Sequence, residues 1–171
     1  MYIKNLIKND YKMWKGGDSI FIKAPTGTGK TTFVLNQLLK EAKKDGREVL
    51  YLNNRFLLKE QVKSKVMQMQ GLTGIESKIV EKTSEFDGIT ILSYQELQEY
   101  VEHNKDNKYK SERYRYVVFD EIHYLLEDAL FNPKIIYLLD FIKHAGQTKI
   151  FMSATLDEVE EFMLDEGKLK K

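Results

Sequence analysis

The apolar run Ser19-Ile20-Phe21-Ile22 leads into Ala24-Pro25-Thr26-Gly27-Thr28-Gly29-Lys30-Thr31-Thr32, and no other stretch limits the fold as much. A backbone that wraps tightly round oxygen atoms needs residues without a Cβ, and Gly27 and Gly29 let successive N–H groups point inward at phosphate. Behind the loop, Phe33, Val34, Leu38 and Leu39 recur at helical spacing, so the segment reads strand, loop, helix. The positive end of that helix adds to the attraction for an anion. The pattern is G-x-x-x-x-G-K-[ST], with Ala24 in the first glycine position. Pro25, Thr26, Gly27, Thr28, Gly29, Lys30, Thr31 and Thr32 are therefore the expected nucleotide-binding segment. Lys30 is expected to reach the β- and γ-phosphates of ATP as a point charge, and the Thr31 hydroxyl to hold Mg²⁺.

Strand and helix patterns alternate along the rest of the chain. Ile3, Leu6, Ile7, Tyr11 and Trp14 fit one face of a leading helix that Gly16-Gly17 ends. Asp45-Gly46 stops the helix after the phosphate loop, and Glu48 to Leu52 reads as the next strand. A helix follows from about Leu57 to Met69. Further strands are expected at Glu76 to Val80, Gly88 to Leu92, Tyr114 to Phe119 and Thr148 to Met152, with helices at Tyr94 to Glu102 and about Pro133 to His144. Such alternation predicts an α/β domain with a mainly parallel sheet covered on both faces, and a ligand at the carboxyl ends of the strands. Two prolines and no low-complexity stretch leave no obvious linker, so residues 1–171 are expected to form one domain.

The second half of the site is Val117-Val118-Phe119-Asp120-Glu121-Ile122-His123, two adjacent carboxylates just past an apolar strand. Adjacent side chains on extended backbone diverge, so the two acids can take different tasks. Asp120 is expected to hold Mg²⁺, directly or through water, and Glu121 to polarise the water that attacks the γ-phosphate. Acids after a strand also serve simply to cap the next helix, and the phosphate loop upstream is what favours catalysis.

Charge and composition exclude several other classes. The net charge of +1, from 27 basic and 26 acidic residues, gives no bulk case for nucleic acid binding, so local patches must carry it. The stretch Asn104 to Arg115 has such a composition, but Asp106 and Glu112 dilute it and a solvated surface loop is the favoured reading. Without cysteine there are no disulfides or thiolate metal sites. No apolar run is long enough to cross a bilayer and Lys4, Lys8, Asp10 and Lys12 interrupt any signal-peptide pattern, so a cytoplasmic protein with no membrane partner is expected.

Taken together, these segments resemble the superfamily 2 helicases and translocases of the DEAD/DEAH-box and type I/III restriction-subunit kind. Ala24 to Thr31 is similar to motif I, in which Ala at the first position is usual. Asp120-Glu121-Ile122-His123 is similar to a DEAH-like motif II, and Ser153-Ala154-Thr155 to motif III. Tyr51 to Gln61 and Ile91 to Leu97 are looser matches to motif Ia and the segment near motif Ib. The resemblance implies the first RecA-like domain of such a motor, a P-loop NTPase three-layer sandwich that binds ATP and Mg²⁺ and grips the backbone of a DNA or RNA strand. It implies strand contacts at Arg55, Ser93 and Tyr94, and a coupling role for His123, Ser153 and Thr155. For Tyr94, core packing is as good a reading.

Two departures bear on activity. No glutamine precedes Gln37, so the adenine-reading Gln of DEAD-box proteins has no counterpart and selectivity for ATP is open. Few residues follow Thr155, whereas the family's second RecA-like domain completes the site with an arginine finger, a group worth about 10³ to 10⁵ in rate. Weak ATP hydrolysis without that domain, supplied in cis or in trans, is the expectation, and the chain resembles either a fragment or half of a split motor. A non-catalytic module that switches its grip on a partner protein with nucleotide is the alternative; a small-molecule kinase would leave the Asp120 and Ser153 segments as coincidences.

Overall fold

The computed structural model describes residues 2–54, 56–72, 83–104, 109, 111–124, 127 and 131–165. The chain opens with α1 (Ile3–Ile7) and a 3₁₀ turn (Asp10–Lys12) before β1 (Ser19–Lys23). The phosphate loop then enters one helical run made of α2 (Lys30–Phe33), a π-helical turn (Val34–Leu38) and α3 (Leu39–Lys44). There follow β2 (Glu48–Asn53), α4 (Phe56–Met69), β3 (Glu85–Phe86), β4 (Ile89–Ser93) and α5 (Tyr94–His103). The last elements are β5 (Tyr114–Asp120), α6 (Ile135–His144), β6 (Thr148–Ser153) and α7 (Asp157–Asp165).

The six strands form one sheet in the order β1-β6-β5-β2-β4-β3, parallel except where the short β3 runs against β4. Strand residues alternate between two cores, as a pleated sheet buried on both faces requires. Val49, Tyr51, Val118 and Ile150 pack with Ile3, Phe33, Leu38 and Val66 from α1 to α4. Leu50, Leu52, Phe119 and Phe151 pack with Leu97, Leu138, Phe141 and Val159 from α5, α6 and α7. The result is the expected three-layer α/β sandwich. On the second face Phe21, Phe151 and Phe119 lie in register on β1, β6 and β5 and stack with centroids 4.9 and 4.8 Å apart.

Several local expectations differ from the structure. The leading helix is broken, because Lys8 turns left-handed at φ 49° and Tyr11 belongs to a separate turn. Leu6 is 62% exposed, since one residue back from Ile7 is about 100° round so short a helix. The hairpin strand β3 and helix α7 carry too little pattern to stand out in sequence. The strand expected at Glu76 to Val80 lies outside the described residues. No helix among the described residues is long and apolar enough to cross a membrane.

Candidate functional site

Strand order dictates what meets at the carboxyl edge of the sheet. The loop leaving β1, the end of β6 and the end of β5 are neighbours, which brings Lys30, Ser153 and Asp120-Glu121 together from distant parts of the chain. The loop is anchored to this edge, for Ala24 N donates to Ser153 O at 2.8 Å. Within it the Thr28 hydroxyl donates to Pro25 O at 2.7 Å, while Gly27 and Gly29 both take φ of 84°. Only glycine adopts that conformation without strain, and at Gly29 a Cβ would also sit 3.2 Å from the Tyr2 ring. Ile3 N donates to Thr28 O at 3.0 Å, so the segment before α1 packs on the loop, a contact no sequence pattern announces.

Lys30 is 7% exposed and donates to Ala24 O at 3.1 Å and to Glu121 Oε1 at 2.7 Å. The buried ammonium is thereby paired, as burial of a charge demands. Asp120 and Glu121 do diverge, though by a different route from extended backbone: Glu121 is left-handed, with φ of 53°. A non-glycine residue in that region is uncommon and marks stored strain of the kind that collects at functional sites. The turn sends Glu121 toward Lys30 and leaves Asp120 on the strand, where it accepts from the Tyr51 hydroxyl at Oδ2. Asp120 Oδ1 is buried with no hydrogen-bond partner. Burial and the neighbouring Glu121 charge push its carboxyl up to about 6, with Tyr51 and Lys30 pulling the other way.

His123 Nδ1 lies 2.6 Å from Ser153 Oγ and 3.4 Å from Glu121 Oε2, and Ser153 Oγ accepts from Thr155 N at 3.1 Å. Lys30, Glu121, His123, Ser153 and Thr155 thus form one continuous polar chain along the sheet edge. Thr26 and Thr32 are exposed, while Thr31 is half-buried beside the Tyr51 hydroxyl. Among the described residues no group of three or more His, Cys, Asp or Glu could hold a metal. An orphaned carboxylate oxygen and a threonine hydroxyl are hard oxygen donors of the sort Mg²⁺ uses when phosphate and water fill its remaining positions, so these residues fit that ion.

The expected strand contacts fare differently. Arg55 lies outside the described residues. Ser93 is the N-cap of α5 in a capping box, accepting from Glu96 N at 3.2 Å while its own N–H donates to Glu96 Oε2 at 2.6 Å. Tyr94 is 3% exposed, and its hydroxyl donates to Asp120 O at 2.8 Å, so it is a core residue with no surface to offer a strand. In the basic stretch that runs into β5, Arg113 pairs with Glu48 at 3.0 Å and Arg115 with Asp45, while Tyr109 and Tyr114 are buried. Those residues stabilise the far edge of the sheet. Sequence reasoning missed Tyr51, which reads as one more apolar strand residue.

Comparison with known proteins agrees with this geometry. No curated protein matches the chain. Among solved structures, the N-terminal domain of the DNA packaging ATPase from bacteriophage phi29 is similar in fold, with a TM-score of 0.59 and 16% identity over 99% of this chain and 87% of that one. The family model described as DEAD/DEAH box helicase matches residues 7–162, a span that holds the phosphate loop, the Asp120-Glu121 pair and Ser153. An ATP-binding, helicase-like motor domain accounts for all three, and the chain belongs to the DEAD/DEAH box helicase family.

Proposed function

We propose that this chain is the ATP-binding motor domain of a superfamily 2 nucleic acid helicase or translocase, nearest in motif style to type III restriction subunits. The observation that carries the reading is the Lys30–Glu121 ion pair with Asp120 beside it, which gathers a phosphate-seeking cation, a base and a metal ligand at one strand edge. ATP would lie along the phosphate loop, with the glycine-supported N–H groups and Lys30 on its phosphates. Thr31 and Asp120 would hold Mg²⁺, which would neutralise negative charge on the phosphates. Nucleotide entry exchanges partners: Lys30 leaves Glu121 for phosphate, and Glu121 is freed to orient water and accept its proton. His123, in contact with Ser153, would sense that change and pass it along β6.

Strand binding is proposed at Ser93, at the end of β4, and at Arg55, which follows β2 in the sequence, gripping phosphates without reading bases. A second RecA-like domain, in cis or in trans, would supply the arginine that this site lacks among its described residues, so hydrolysis by the chain alone is expected to be weak. Calorimetric titration with Mg-ATP, repeated with GTP, tests the reading. Saturable ATP binding that Lys30→Ala abolishes supports it; no binding at millimolar nucleotide by the intact chain removes it. In a protein reconstituted with a second domain, Glu121→Gln is expected to keep binding and lose about 10²-fold or more in turnover. Unchanged turnover would take the base role away from Glu121.

A further inference from the structure

We infer that Tyr51 is a positioning residue for the metal-holding carboxylate: its hydroxyl fixes Asp120 through Oδ2 and so reserves Oδ1 for the cation. This rests on the proposed reading in which Asp120 holds Mg²⁺. Tyr51 sits in the middle of β2 between Leu50 and Leu52, fully buried, in the core beneath the phosphate loop helix. Phenylalanine or leucine would fill that space without the cost of burying a phenol, which must then find a partner. The partner it finds is on the adjacent strand, since the Tyr51 hydroxyl donates to Asp120 Oδ2. The Thr31 side chain, the other group proposed to hold the ion, also acts on the Tyr51 phenol.

A second phenol acts on the same residue from the opposite face of the sheet. Tyr94, the first residue of α5, donates to the Asp120 carbonyl at 2.8 Å and stacks near Phe119. Asp120 is therefore held at its side chain from one core and at its main chain from the other. What remains unpartnered is Oδ1 alone. A carboxylate with one oxygen tied and the other free presents a single donor in a fixed direction, and outer-shell hydrogen bonds of this kind orient metal ligands.

The test uses the intact 171-residue chain, with Mn²⁺ as the probe in the presence of ADP, followed by electron paramagnetic resonance. Tyr51→Phe is expected to weaken Mn²⁺ binding to the ADP complex about tenfold, while ADP affinity in EDTA stays within about twofold of wild type. A merely structural tyrosine would not split the two affinities. A folded Tyr51→Phe variant with wild-type Mn²⁺ affinity, or with equal losses for Mn²⁺ and metal-free ADP, overturns the inference. Should wild type itself bind ADP but no Mn²⁺, the metal role of Asp120 fails and this inference falls with it. Should Tyr51→Phe not fold, 3-fluorotyrosine at position 51 keeps the ring and its hydroxyl. Its ¹⁹F resonance is expected to shift when Mg²⁺ is added to the ADP complex, and an unmoved resonance overturns the inference.

Discussion

Asp120 carries an energetic cost in the absence of a cation. Its carboxyl is pushed up to about 6 from an ordinary 3.8, chiefly by burial and then by Glu121. Between those values Asp120 binds its proton more readily in the native chain than in the unfolded one, so its own contribution to stability falls as pH rises from about 4 to about 6, by ~1–3 kcal/mol. Urea titrations in EDTA across that window should show wild type losing stability relative to Asp120→Asn as pH rises, with the variant at least as stable at neutral pH. A wild-type profile parallel to that of Asp120→Asn would count against the raised carboxyl. That Lys30, Asp120, Glu121 and His123 would meet was legible in sequence, because phosphate and metal chemistry would call for those residue types next to strand ends. Tyr51 was not, because its meaning lies in a partner 69 positions away that only strand order supplies. Tyr94 stood open in sequence between strand contact and core packing for the same reason, and its hydroxyl faces inward to Asp120.

At the level of elements, the stacked Phe21, Phe151 and Phe119 bind together the three strands whose ends carry the phosphate loop, Ser153 and Asp120. Phe151→Ala is expected to cost about 3–5 kcal/mol and, where the variant still folds, to weaken nucleotide binding without touching any binding group. Denaturation and calorimetry on one preparation would check both; full affinity in a destabilised variant would mean that the site does not depend on this packing. The capping box of α5 is a smaller contribution, and Ser93→Ala should cost about 1 kcal/mol by the same denaturation assay. Long strands with β-branched and aromatic residues, and helices with clear stops such as Asp45-Gly46, were readable from pattern. The two-residue β3 exists only because β4 offers it an edge, and α1 ends at Lys8 through a backbone conformation that composition does not signal.

Across the whole molecule, the sheet order places every proposed nucleotide group on one edge, and ligand binding should therefore register globally. At Mg-ATP near 100 times its Kd the folded chain should gain about 2.7 kcal/mol, read as a raised thermal midpoint that Lys30→Ala lacks. The three-layer architecture was predictable from alternating strands and helices, but the order of strands was not, since apolar runs do not name their neighbours. That order also governs time. Among the described strands β1 pairs with β6 alone, so Ser19 finds its partner only at Lys149. During synthesis the loop after β1 emerges well before β6, and among the described strands β1 has no other partner to dock on until β6 has followed. Contacts so distant in sequence are slow to close. Gly27 to Thr31 must therefore stay unformed until β6 has been made, and only then does the edge that gathers Lys30, Glu121 and Ser153 exist.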